Sequence, residues 1–214
     1  DFIATYTWGH ALANTGTPLY GGVGDTRGNP RDLRYAYTDA SWDQRHNFTA
    51  SFMYDMPFGR GKKLGGNMSQ VADRILGGWQ ANGVIGLRSG RSFTLGTRYG
   101  VGYISSIHPD YVAPGRNVNN APSAGRTPAQ WFDTSAVQSP VPYTNGTVPN
   151  ASNKGPANNN VDLSLFKGFQ ITERFRAQFR VEAMNISNSP HFGNPGGTQG
   201  DPTFGQINSA SGER

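Results

Sequence analysis

Apolar and polar residues alternate along several stretches of this chain, most extensively from Arg45 to Phe58. Its even positions Phe48, Ala50, Phe52, Tyr54, Met56 and Phe58 are apolar or aromatic. Asn47, Thr49, Ser51 and Asp55 between them are polar, with Met53 the exception. A period of two sends successive side chains to opposite faces of a strand. The same pattern predicts strands over Phe2–His10, Trp79–Arg88, Val161–Ile171 and Phe175–Ala183, with Ile3, Phe166 and Lys167 on the wrong side of their alternation. Phe93-Thr94-Leu95 is expected to continue the third strand past a bend at Gly90, and Thr203–Ser209 to open a further one. Soluble strands usually run about five or six residues. These are closer to the roughly nine to eleven of a tilted transmembrane strand.

Between the strands, Ala11–Gln44 carries Gly21-Gly22, Gly24-Asp25 and Gly28-Asn29-Pro30, which is turn chemistry without a period. Gly59–Gly77 is shorter, and Met68, Val71, Ala72 and Ile75 within Met68–Leu76 have helical spacing. Tyr99–Asn160 is the longest connection. Within it Thr127–Phe132 predicts one helical turn, with Thr127 as N-cap and Pro128 at the first helical position. Thr172–Arg174 is a tight turn, and Asn185–Asp201 is a third Gly/Pro/Asn loop. Long and short connections alternate, so the long ones gather at one end of an up-and-down sheet. Outer-membrane barrels are built this way, with short periplasmic turns and long extracellular loops. The expected fold is therefore all-β: an antiparallel transmembrane β-barrel fragment of about five to six strands.

Composition agrees once a barrel is considered. Of 214 residues 35% are hydrophobic and 15% charged, with 29 Gly and 14 Pro, and the mean hydropathy is −0.57. That value argues against membrane helices, yet suits a barrel with a polar lumen and long loops. A soluble β-sandwich also alternates, and a secreted carbohydrate-binding module is the competing reading. Against it stand the strand lengths, loops too long for one compact domain, and Arg88, Arg176, Arg180, Glu182, Asp55 and Asp162 together on the non-apolar face. Cysteine is absent, which removes disulfides and thiolate chemistry. The +5 formal charge and pI near 9.6 are spread along the chain rather than clustered, so nucleic acid is not an expected partner.

An ordered set of short motifs adds a resemblance. Tyr6-Thr7-Trp8-Gly9-His10-Ala11, Asp43-Gln44-Arg45-His46, Pro57-Phe58-Gly59-Arg60-Gly61-Lys62 and Gly77-Gly78-Trp79-Gln80 come first. Ser89–Thr94, Arg126–Phe132, Asn160–Lys167, Phe179–Asn185 and Pro190–Gly193 follow in order. Together they resemble the C-terminal barrel portion of TonB-dependent outer-membrane receptors, especially the large acidobacterial type with a carboxypeptidase-regulatory-like N-terminal domain. The resemblance implies a barrel of about 22 strands with an N-terminal plug. Residues 1–214 then form a partial C-terminal segment of the barrel domain, without plug or terminal strand; the start at Asp1, directly before a strand, fits such a cut. It implies energy-coupled import of a nutrient such as a siderophore or oligosaccharide. The implied partners are outer-membrane lipid, the TonB complex acting through the plug, and a small-molecule or oligosaccharide ligand.

No constellation points to an enzyme or a cofactor. His10, His46, His108 and His191 lie far apart in sequence without metal-ligand spacing, and read as solvated loop or rim histidines. His108-Pro109-Asp110 has no nucleophile beside it. Asp55, Arg88, Asp162, Arg176, Arg180 and Glu182 fall on the polar side of their strands and are expected to face the lumen. There they either steer a ligand or pair with neighbouring strands and the plug. The loop aromatics Tyr103, Tyr111, Trp131 and Tyr143 either stack on a ligand or pin the loops to themselves.

Overall fold

The computed structural model describes residues 1–13, 37–98, 107–119, 121–122, 124–144 and 146–211. The alternating stretches form five long strands: β1 (Phe2–Trp8), β4 (His46–Asp55), β5 (Trp79–Arg88), β11 (Asn158–Gln170) and β12 (Arg176–Ala183). They pair in the order β1-β4-β5-β11-β12, each antiparallel to the next. Short ladders number the remaining strands: β2 (Leu12–Ala13) with β3 (Thr38–Asp39), β6 (Ser92–Phe93) with β10 (Asn153–Lys154), and β7 (Gly96–Thr97) with β14 (Thr198–Gln199). β8 (Asp110–Tyr111) pairs with β9 (Val137–Gln138), and β13 (His191–Phe192) with β15 (Ala210–Ser211).

Register decides the faces. Phe2 lies opposite Phe52, Phe52 opposite Gly83, Gly83 opposite Leu163, and Leu163 opposite Ala183. The apolar position of every strand therefore lands on the same side of the sheet. A slip of one residue in any pair would break this. Aromatic rings gather at both ends of that face, Tyr6 and Trp8 at one and Tyr54, Trp79, Phe175 and Phe179 at the other. Alanine, glycine and aliphatic side chains fill the middle together with Phe2 and Phe52. Among the described residues no second layer covers it: Tyr6 is 60% exposed and Phe175 69%. In water so large an apolar face would be a liability; against hydrocarbon it is the expected exterior. The sheet does not close on itself: β1 and β12 each lack a second neighbour among the described residues.

Gly83 shows how this face packs. A Cβ there would come within 2.4 Å of Phe52 Cε1 and 2.8 Å of Leu163 Cδ2, because the Phe52 ring lies over the glycine. Gly86 on the opposite face has open space around it. Gly83→Val should cost about 1–3 kcal/mol by overpacking, read as a lower urea midpoint in vesicles. Gly86→Ala should leave that midpoint nearly unchanged.

The buried core lies in the loops rather than under the sheet. Phe93, Leu95, Val118, Phe132, Ala136, Val137 and Val148 form it, with Tyr111, Trp131 and Phe204 packed around them. The connections after β5 and after β12 share this core. Trp131 N donates to the Gly205 carbonyl at 2.8 Å, Ile207 N to Pro128 at 2.7 Å, and Phe132 meets Phe204 edge-on at 5.2 Å. The long connections thus build a folded body at one end of the wall.

Three expectations are corrected here. Phe93–Leu95 does not prolong β5: Gly90 passes so close to Gly155 that a Cβ would lie 1.8 Å from the Gly155 oxygen, and the chain turns there into the loop core. Thr127–Phe132 makes no helical turn. Thr127 and Gln130 exchange backbone hydrogen bonds of 3.0 and 3.1 Å, closing a turn that leaves Trp131 free to bond Gly205. Thr203–Ser209 is not a strand but a turn and an extended link, with Phe204 N bonded to Asp201 at 3.1 Å. The helix expected over Met68–Leu76 is present as α1 (Gln70–Leu76), with the Ser69 hydroxyl accepting from Ala72 N at 3.3 Å.

Candidate functional site: the inner face and the loop rim

The polar positions of the five strands share the face opposite the aromatic one. Asp55, Arg88, Asp162, Arg176, Arg180 and Glu182 all lie on it by register. They do not converge on one point. Arg88 stands at the loop end, opposite Asn47, whereas Asp55 and Arg176 stand at the short-turn end, opposite Gln80 and Gln170. Asp162 anchors a turn: its carboxylate accepts from Asn185 N at 2.8 Å and from the Asn160 amide at 2.7 Å. Arg180 pairs with Glu182 and places its guanidinium 4.6 Å over the Phe166 ring. Asp55 accepts from the Gln80 amide at 2.9 Å.

A groove of 560 Å³ runs across this wall. Ile3, Met53 and Phe166, the apolar residues that break the alternation on the polar side, line it together with Val84. Asp162, Arg180 and Glu182 border it as well. In its floor the Asn82 amide has both polar atoms shielded and unpartnered, and Asn47 Oδ1 on the same face is likewise unpaired. Buried amides without partners carry a cost that a contacting group removes. A mixed surface of this kind suits a packed partner better than a water-filled wall.

Among the loop aromatics, Tyr111 and Trp131 lie half-buried against the loop core. Burial raises the Tyr111 phenol above its ordinary pKa, partly offset by a hydrogen bond with Ser152. The Trp131 indole donates to the Lys154 carbonyl at 3.2 Å, and Arg126 stacks over its ring at 5.4 Å. Tyr143 projects from the loop body at 88% exposure. Tyr103 lies outside the described residues.

Pattern reading missed a charged cluster at the rim. His10, Asp39, Asp43 and Arg45 from the connection before β4 converge with Ser92 and Lys154 from the connection after β5. The Lys154 ammonium lies 2.7 Å from Asp39, 2.8 Å from Asp43 and 2.6 Å from the Ser92 hydroxyl. Arg45 reaches Asp39 at 3.1 Å and Asp43 at 3.5 Å, and His10 meets Asp39 at 2.6 Å. Asp43, only 1% exposed, also accepts from Ala11 N at 2.8 Å. His10, Asp39 and Asp43 hold their ligand atoms within 4.8 Å of one another, a spacing a metal could use. Lys154 and Arg45 supply the positive charge in that space, so the cluster is an ion-pair latch. Burial pushes both carboxyls up, but the hydrogen bond from Lys154 and its charge outweigh it. His10 and Arg45 help at Asp39 and the Ala11 amide at Asp43, so both stay below the usual carboxylate range.

The other histidines serve structure too. His46 stacks on Tyr6 at 6.2 Å and shares a 2.8 Å hydrogen bond with its hydroxyl. His191 meets the Asn159 carbonyl at 3.3 Å. His108 is buried at 1% exposure, not solvated as its loop position suggested, because the chain around it folds into the loop core. The one available signal for the latch was the Asp43-Gln44-Arg45-His46 motif, whose Asp, Arg and His all make rim contacts.

One lipid-ready face, one polar face and a folded loop body at a single end define the wall of an outer-membrane β-barrel. The outer membrane beta barrel domain family matches residues 1–214, and the chain belongs to that family. Its place is the bacterial outer membrane, with the aromatic face toward lipid and the polar face toward the lumen. No curated protein and no solved structure matches the chain.

Proposed function

We propose that this wall belongs to a TonB-dependent receptor that imports a scarce nutrient, a ferric chelate or an oligosaccharide, by energy-coupled uptake. The observation that carries the reading is the inner groove, where apolar side chains and the unpaired Asn82 amide face the lumen. An open pore would line that face with hydrated charge; a plug seated against it would cover the apolar residues and pair that amide. The ordered motifs support the same family. In this reading the loop body receives the ligand and the plug gates its passage. No bond is made or broken, so the protein is a transporter rather than an enzyme. A soluble carbohydrate-binding module is set aside, because the uncovered aromatic face and the outer-membrane family both contradict it.

Deleting the gene from its host should abolish growth on at least one ferric chelate or oligosaccharide supplied at limiting concentration. Removing TonB from the parent strain should cause the same loss. Growth that needs the gene but not TonB would make the protein a passive channel.

A further inference from the structure

The connection between β4 and β5 lies at the short-turn end, which faces the periplasm in outer-membrane barrels. It carries α1, a helix that no packing explains. Seven residues are too few for a helix to persist alone in water, and none of the seven is buried. Val71 is 70% exposed, Ile75 63% and Leu76 55%. At 100° per residue, Val71, Ala72, Ile75 and Leu76 fall within an arc of about 140°, and Gln70, Asp73 and Arg74 occupy the other side.

What holds α1 is its C-terminal end, and the groups that hold it belong to the lipid face. Trp79 Nε1 donates to the Ile75 carbonyl at 3.0 Å, and Lys167 Nζ donates to the same carbonyl at 2.9 Å and to that of Gly77. An ammonium at a helix C-terminus is also favourable to the helix dipole. Lys167 lies opposite Trp79 and Phe179 on the apolar side of the sheet. Its ammonium sits 5.2 Å from the Trp79 ring and 5.3 Å from that of Phe169. This accounts for the one charge that interrupts the aromatic face. The helix is thereby hung on the outward side of the wall, at the edge of the aromatic girdle.

Charge points the same way. Across 56–78 Arg60, Lys62, Lys63 and Arg74 oppose the single acid Asp73. The Asp73 carboxylate is occupied by Arg60 N at 2.6 Å.

We propose that α1 is an interfacial anchor lying in the headgroup layer of the periplasmic leaflet. Val71, Ile75 and Leu76 enter the acyl boundary, and Arg60, Lys62, Lys63 and Arg74 face anionic phospholipid headgroups. Continuity with the lipid face and complementary charge select a phospholipid surface as occupant. The proposal rests on the outer-membrane location and not on TonB coupling.

The test is site-directed spin labelling of the full-length barrel protein in vesicles of phosphatidylethanolamine and phosphatidylglycerol. This chain has no cysteine, so any cysteine elsewhere in the full-length protein is replaced first. Val71→Cys and Ile75→Cys labels should collide several-fold more with oxygen than with a water-soluble nickel chelate, and a Gln70→Cys label should show the reverse. Nickel accessibility at 71 and 75 equal to that at 70 would place α1 in water and overturn the anchor. Labels shielded from both probes would mean that protein covers α1, and would overturn it too. Heat-dependent gel migration of the same samples reports the barrel separately, so failure of the anchor is distinguishable from failure of the barrel.

Discussion

Lys154→Met should loosen the loop body while leaving the barrel wall folded. The ammonium it removes is shared by Asp39, Asp43 and the Ser92 hydroxyl. Without it, Asp43 keeps its burial and loses its closest cation. Breaking one side of a buried ion pair costs about 3–5 kcal/mol; Lys154 retains 28% exposure, which places the expected loss at the lower end, about 3 kcal/mol. Hydrogen exchange of 10–13, 38–46 and 152–155 should rise, with β5 and β11 protection unchanged. Asp43→Asn in the same background should recover part of the loss, because it removes the stranded charge. Equal exchange in parent and variant would reduce the latch to a surface pair.

Acid should act on the same latch. Both carboxyls titrate below their ordinary value in the folded protein. A depressed folded pKa gives stability that is complete above the unfolded value and lost as pH falls through the folded one. Loop protection should therefore hold from neutrality down to about pH 4 and decline only below it. In Lys154→Met the carboxyls lose that support and their folded values rise toward the unfolded one, so the acid-induced decline should shrink, its onset still set by the unfolded value.

The wall was legible in sequence because every residue of a membrane strand faces either lipid or lumen, so alternation persists along its whole length. Even the misfits carried information: Ile3, Met53 and Phe166 line the inner groove, and Lys167 caps α1. The loop body was not legible, for a different physical reason. Val118 and Val148 stand singly among Asn, Thr, Gly and Pro, with no period to mark them as core. Only the tertiary fold gathers them, and the Gly90–Gly155 approach that turns the chain inward leaves no local trace beyond two glycines. The latch joins Asp43 to Lys154 across 111 residues. The Asp43–His46 motif marked one side of it and nothing in sequence marked the other.

The face assignment itself has the sharpest test at neighbouring residues of β11. Leu165 lies opposite Ala81 and Val181 on the aromatic side, and Ser164 opposite Asn82 and Glu182 on the polar side. Both are near the middle of a 13-residue strand, so depth in the bilayer is nearly the same. Leu165→Arg would put a guanidinium into hydrocarbon near the midplane, at a cost of about 2–4 kcal/mol in a barrel. Ser164→Arg would enter the inner groove, where Glu182 across from it offers a counter-charge, and should cost less than Leu165→Arg. Folding of the full-length barrel protein into vesicles across a urea series, read by heat-dependent gel migration, separates the two. Equal penalties would mean that both faces are dry or both wet, and would defeat the membrane orientation derived from the register. A reversed order would mean that the polar residues face lipid, which no arrangement of these five strands could then explain.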